Sequence, residues 1–151
     1  SKLLKEGDVN GAIKYFDEAL SLETDNAKKA KYAYIVAALM YRKGNIAQCR
    51  QYCQKTLQYN PSNGGAYLLQ ANCIARAASG DALQRSYFYC LAYDYCNKAK
   101  AVDPSSAAKA NRAAANYAAH FYPKSEAFFA GIKAGQTVSV PGFGTTTLRL
   151  R

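Results

Sequence analysis

Apolar residues recur every three or four positions along most of this chain, with polar residues between them. This period predicts helices, because about 3.6 residues per turn places the apolar side chains on one helix face. Short stretches of glycine, asparagine, aspartate and proline separate the predicted helices. The helices are expected at residues 7–23, 27–43, 46–59, 66–78, 82–102 and 107–121, with a shorter one at 125–132.

The period changes near the end of the sequence. Residues 137–140 and 145–151 alternate apolar and polar side chains, which is typical of β-strands. The turn-forming residues Pro-Gly-Phe-Gly at 141–144 separate the two runs, so the pattern predicts a β-hairpin. We expect residues 123–151, the short helix and the hairpin, to cover the open end of the helical array.

Three of the predicted helices share one pattern, at residues 7–20, 44–61 and 92–104. A small residue or cysteine is followed four positions later by phenylalanine or cysteine and then by another small residue, and two of the three copies end at proline. Such a helix cannot bury its apolar face alone, so repeated copies stack on their neighbours and present a binding surface.

This pattern resembles the second helix of the tetratricopeptide repeat, a helix-turn-helix unit of about 34 residues. Tyr67, Ala71 and Ile74 have the spacing of the first helix of such a unit. The resemblance covers residues 1–122 and implies an all-α fold, a tetratricopeptide-type α-solenoid of about three units, with the short C-terminal β-hairpin appended. The end of the chain is similar to that of a group of bacterial tetratricopeptide proteins, whose exported members imply a periplasmic or surface location. A reducing cytoplasm fits the cysteines equally well.

The resemblance implies that residue 1 falls inside a repeat unit. Residues 1–6 match only the last turns of a first helix, so the apolar face formed by Ala12, Phe16 and Ala19 lacks its usual neighbour. A bare apolar end of a solenoid needs a cover. We expect a second copy of the chain to supply it, giving a homodimer through the open N-terminal end.

The chain is strongly basic, with 20 lysines and arginines against 10 acidic residues and a net charge of +10. The basic residues are spread evenly along the chain, without long runs, which favours a solvated cationic surface over a nucleic-acid site. We expect acidic protein partners, with a polyanion or nucleic-acid binder as the alternative. No stretch approaches the roughly 20 apolar residues needed to span a bilayer.

The cysteines and the single histidine, His120, are the candidates for site chemistry. Cys49, Cys53 and Cys96 fall at core positions of the repeat, so we expect buried free thiols, with a disulfide as the first alternative. Cys49 and Cys53 would need further ligands to hold a metal. The carboxylates are scattered and His120 is near a helix end, so neither an enzyme active site nor a cofactor is expected.

The predicted helix at 82–102 is unusually aromatic, with Tyr87, Phe88, Tyr89, Tyr93 and Tyr95. These rings have more aromatic surface than one apolar stripe of a helix can bury. They either pack against the next helix or form one wall of a ligand groove.

The resemblance also implies where a ligand binds. In this family ligands lie along the first helix of each unit, on the inner surface of the superhelix. The residues at those positions are Tyr34, Ala38, Tyr41, Arg42, Leu68, Asn72, Arg76, Asn111 and Arg112. Side-chain amides can bond a peptide backbone, and guanidinium groups can bind its carboxylates.

We therefore expect a non-catalytic protein-protein interaction scaffold that binds a peptide or helix segment in this groove. Only Arg112 matches the lysine and asparagine clamp of the chaperone-binding members, so an acidic chaperone tail is not the expected ligand. Besides the polyanion binder, a structural self-assembly module remains an alternative.

Overall fold

The computed structural model describes residues 6–151 as seven α-helices and one antiparallel hairpin. The helices are α1 (Glu6–Leu22), α2 (Asn26–Lys43), α3 (Ile46–Tyr59), α4 (Gly64–Arg76), α5 (Ala82–Val102), α6 (Ala107–Ala118) and α7 (Lys124–Ala130). A 3-10 turn, Pro104–Ser106, precedes α6, and the strands are β1 (Thr137–Val140) and β2 (Gly144–Thr147). The predicted helical fold with a small C-terminal hairpin is confirmed. Most of the helical remnant predicted at residues 1–6 lies outside the described residues.

Short polar side chains begin four of these helices. Each accepts a hydrogen bond from a backbone N–H of the first turn, which satisfies a donor that has no partner within the helix. The capping residues are Asp25 for α2, Asn45 for α3, Asn63 for α4 and Asp81 for α5. Gly44 ends α2 in the left-handed conformation, with φ of 89°.

Helix α4 begins two residues earlier than the sequence predicts, at Gly64 instead of Ala66. Two adjacent glycines indicate a loop, but here the Asn63 side chain caps the helix and holds both glycines in its first turn. The Gly64 N–H also donates to Asp103 Oδ2 at 3.1 Å, which ties the start of α4 to the end of α5. A contact between distant residues thus extends the helix.

The first six helices pack mainly in chain order, each on the next, and α2 also contacts α4. One core lies between α2, α3 and α4 and is built around Val36 and three cysteines. A second lies between α4, α5 and α6 and is built around Ile74, Phe88 and Leu91. All five cysteines are buried and free, which confirms the prediction of buried thiols.

The face of α1 that was expected to be bare is only half exposed. Ala12 and Ala19 are half-buried, and Phe16 packs against the α2 core with its ring centroid 6.2 Å from that of Tyr32. The face is therefore covered in part by α2, and the rest of it is exposed. The homodimer inferred from it stays a prediction.

The hairpin packs along α5 and does not lie beyond α6. Val140 and Leu148 are buried against α5, and Arg149 pairs with Asp94 of that helix at 2.5 Å. The hairpin turn reaches α3, where Arg50 Nη1 donates to the Gly142 carbonyl at 2.9 Å. The hairpin thus covers the side formed by α3 and α5.

The second strand ends at Thr147, earlier than predicted. Beyond it the chain pairs with the connection between α6 and α7, because the Arg151 N–H donates to the Tyr122 carbonyl at 3.1 Å and the Lys124 N–H donates to the Arg151 carbonyl at 2.8 Å. Helix α7 carries two largely exposed rings, Phe128 and Phe129. Among the helices of residues 6–151, none has the length and apolar content needed to cross a membrane.

Candidate functional site

An arginine on α4 joins two of the predicted groove positions. Arg76 Nη1 donates to the Tyr41 carbonyl on α2 at 2.9 Å, and its guanidinium lies over the Tyr41 ring, 5.0 Å from the centroid. The last carbonyls of a helix lack partners within it and carry the negative end of its dipole, so a cation there is stabilising. Arg76 therefore fixes the end of α2 against α4.

A second contact joins α4 to α6. Asn72 Oδ1 accepts a hydrogen bond from the Tyr117 hydroxyl at 2.5 Å. Burial raises the pKa of Tyr117, and the neighbouring Cys96, Tyr41 and Tyr89 raise it further. The phenol therefore keeps its proton and acts as a hydrogen-bond donor at neutral pH.

The third tyrosine of the site, Tyr34, lies against the first turn of α4. A Cβ atom on Gly65 would lie 3.2 Å from Tyr34 Cε1 and 3.3 Å from its hydroxyl oxygen. Glycine at this position leaves room for the ring, and burial raises the pKa of Tyr34. We refer to Tyr34, Tyr41, Asn72, Arg76 and Tyr117 as the inner row.

Two further predicted positions, Ala38 and Leu68, pack against the cores. Ala38 is half-buried and packs on the same core as Tyr34 and Tyr41. Leu68 is half-buried and packs on the second core together with Tyr117. Both therefore contribute to core packing.

The remaining predicted positions lie apart from these contacts. Asn111 and Arg112 are exposed on α6, and within residues 6–151 no hydrogen bond joins either to the inner row. Arg112 precedes Tyr117 by five residues, which places it about 140° away around the helix. Arg42 is exposed and lines a cleft of about 430 Å³ with Val9, on the side of α1.

Sequence reasoning missed Tyr117 as part of the site. It also did not predict that His120 stacks on Tyr89. Tyr117 is the only aromatic residue in α6, and that isolation in an alanine-rich helix is a usable signal. Its ring centroid lies 6.1 Å from that of Tyr89. Tyr89 in turn stacks on His120, with centroids 4.3 Å apart and planes 13° apart.

Most of the aromatic residues of α5 pack inside the molecule. Phe88 is buried, with its ring centroid 6.2 Å from that of Phe143 in the hairpin turn. Tyr87 and Tyr93 are half-buried and pack against the cluster around Leu148. Of the five, Tyr89 is the one whose ring contacts the inner row.

The inner row combines half-buried rings with hydrogen-bonding groups, which are features of surfaces that contact extended polar chains. It spans α2, α4 and α6, and Tyr89 extends it to α5. A scan against protein-family models gives no match for this chain, and neither does a search of the curated proteins. The functional conclusion therefore depends on the geometry of the site.

Proposed function

We propose that this chain is a tetratricopeptide-type α-solenoid that binds an extended, acidic peptide along the inner row. The helix packing supports this architecture, because consecutive helices contact one another in chain order and α2 also contacts α4. Asn60-Pro61 and Asp103-Pro104 mark the ends of α3 and α5, as they would between repeat units.

One observation carries the proposal: alternate helices supply the inner row. The Arg76 to Tyr41 contact links α4 to α2, and the Asn72 to Tyr117 contact links α4 to α6. In a stack of helix pairs, alternate helices line one continuous surface suited to an extended ligand. The residues on this surface are polar and aromatic, which suits a peptide better than a purely apolar helix.

The charge of the chain supports an acidic ligand. Arg76 gives the inner row an exposed guanidinium group, and the whole chain carries a net charge of +10. A guanidinium group binds a carboxylate through two parallel hydrogen bonds, so a peptide rich in aspartate and glutamate is the expected ligand.

The test is selection from a random library of 12-residue peptides against the purified chain, followed by fluorescence anisotropy with the selected peptides. We expect enrichment of acidic residues. The variant Arg76→Lys keeps the positive charge but removes the planar guanidinium from the inner row, so it should weaken binding about tenfold, equivalent to about 1.4 kcal/mol. Urea denaturation of the variant checks that its stability matches that of wild type.

The matched control is Lys14→Ala, which removes one exposed positive charge from α1. It should bind the selected peptides as wild type does. An equal loss with this control, or selected peptides without acidic enrichment, would contradict the proposal. If the affinity falls steeply with salt concentration and does not depend on peptide sequence, the alternative function as a polyanion binder would be supported instead.

Alanine at Asn72 or Arg76 is a poorer test of binding. Both side chains join helices to one another, and removing such a hydrogen bond costs about 0.5–1.5 kcal/mol of stability. If such a variant lost binding, the loss of a ligand contact could not be distinguished from unfolding.

A further inference from the structure

A cleft of about 240 Å³ lies between the start of α5, the segment that follows α6, and Arg151. It is separate from the predicted groove positions, none of which lines it. Three separate chain segments bring Arg85, His120 and Arg151 to its wall, and no acidic side chain is among the lining residues. The cleft therefore gathers basic side chains without an acidic side chain to balance them.

Backbone carbonyls hold both guanidinium groups. Arg85 Nη1 donates to the Ala78 carbonyl at 3.3 Å, and Arg151 Nε donates to the Phe121 carbonyl at 2.8 Å. A guanidinium has five N–H donors. Within residues 6–151 neither arginine makes an ion pair or another side-chain hydrogen bond, so several donors on each remain available to a ligand.

The backbone of Arg151 is fixed as well, by its hydrogen bonds to Tyr122 and Lys124. The third basic group, His120, is exposed but held in place by its stacking on the half-buried Tyr89 ring. A site whose donors are already positioned loses less conformational entropy when its ligand binds.

We propose that this cleft binds an oxyanion, namely a phosphate or carboxylate group. Each guanidinium group has parallel N–H donors that can bond two oxygens of a carboxylate or of a phosphate, and an imidazole N–H adds another donor. The volume suits a single such group or a small acid, since drug-sized ligands occupy about 300–1,000 Å³. None of the five inner-row residues lines this cleft, and Tyr89 is the residue that borders both sites.

The sole histidine of the chain makes the test direct, because His120 gives the only imidazole signals in an NMR spectrum of the labelled protein. Inorganic phosphate and succinate are titrated separately at constant pH and ionic strength, with sodium chloride as the reference anion. We expect saturable shifts of the His120 ring signals with at least one of the two. The anion that saturates at the lower concentration identifies phosphate or carboxylate as the preferred group.

The double variant Arg85→Gln, Arg151→Gln should raise the dissociation constant about tenfold or more. The control Lys14→Gln, Lys109→Gln removes the same charge from exposed positions outside the cleft and should leave the constant within about twofold, since distant surface charges are screened. If the double arginine variant does not fold, Arg85→Lys keeps the charge and removes only the planar fork. It should give an intermediate loss of affinity.

Two results would overturn the proposal. One is a His120 response to phosphate and succinate no larger than that to chloride. The other is an equal loss of affinity in the lysine control, which would show general attraction to a basic surface and no defined site.

Discussion

Gly64 occupies a point where α4 comes very close to the end of α5. A Cβ atom there would lie 2.6 Å from Ser106 Oγ and 2.8 Å from Asp103 Cβ. Gly64→Ala should therefore lower the free energy of unfolding by about 1–3 kcal/mol, because the added methyl group displaces packed neighbours. Urea denaturation followed by circular dichroism measures the change.

Gly11 provides the matched control, because it lies within α1 and an alanine methyl group there would meet no packed neighbour within 4 Å. Gly11→Ala should raise the free energy of unfolding by about 0.5–1 kcal/mol, since alanine restricts the unfolded chain and favours the helix. A loss at Gly11 as large as that at Gly64 would show that packing around Gly64 is not the cause.

Arg149 is the main polar link between the hairpin and α5. Its guanidinium pairs with Asp94, donates to the Cys90 carbonyl at 3.2 Å and lies 4.7 Å from the Tyr93 ring centroid. Arg149→Ala should lower the free energy of unfolding by about 1–3 kcal/mol, because it leaves a partly buried carboxylate without its partner. Arg112→Ala, at an exposed position, should change it by less than about 0.5 kcal/mol.

A double-mutant cycle with Asp94→Ala separates the ion pair from the other contacts of Arg149. We expect the sum of the two single losses to exceed the loss in the double variant by about 0.5–3 kcal/mol, as for other residues in direct contact. Strict additivity would mean that Arg149 acts through Tyr93 and Cys90 alone.

At the scale of elements, the helices were predictable where the signal is local. Helices α2, α3 and α5 begin and end within about a residue of their predicted bounds, because Asp25, Asn45, Asp81 and Gly44 carry the caps in the sequence itself. Helix α6 ends three residues early, where the Phe121 N–H bonds to the carbonyl only three residues back. This tighter last turn depends on packing against other parts of the molecule, which the local sequence does not show.

The candidate site was only partly predictable. The repeat register selected Tyr41, Asn72 and Arg76, and the structure places them in contacts between helices. Their partners lie 35 and 45 residues away in the sequence, and no local pattern connects residues so far apart. Tyr117 was missed for this reason.

Asp103 links the end of α5 to the start of α4. Hydrogen bonds from Ser105, and then from the Gly64 N–H, hold the pKa of its carboxyl below the ordinary value of 3.8. A lowered pKa stabilises the folded state above that ordinary value, and this stability is lost as the pH falls below it. Asp103→Asn should therefore flatten the decline in stability below about pH 4.

Urea denaturation at a series of acidic pH values measures that slope. Ser105→Ala removes the largest cause of the lowered pKa and should flatten the slope in part. A wild-type slope in Asp103→Asn would show that other carboxyl groups control unfolding in acid.

At the scale of the whole molecule, the five cysteines report on the integrity of the two cores and of the cluster around Leu148. All are buried. A hydrogen bond with Cys53 is the main cause that raises the pKa of Cys49 to about 12, and burial raises the pKa of Cys96 to about 11. Thiolates are the reactive form, so both effects protect these side chains.

We expect the native chain to react with a thiol reagent such as DTNB only as fast as it opens, and all five thiols to react at once in denaturant. Absorbance at neutral pH follows both reactions. A thiol that reacts immediately in the native protein would show that its core opens readily. The sulfur atoms of Cys49 and Cys73 lie 3.3 Å apart.

The position of the hairpin on α5 has a consequence for synthesis on the ribosome. The first six helices contact their sequence neighbours, so they can fold as they emerge from the ribosome. The contact between Asp94 and Arg149 forms only after 55 more residues have been synthesised. At about 5–20 residues per second, that interval is roughly 3–11 s. For those seconds Phe88 and Cys90, buried in the finished protein, lack the cover of the hairpin. We expect a chaperone that meets this nascent chain to bind α5 first.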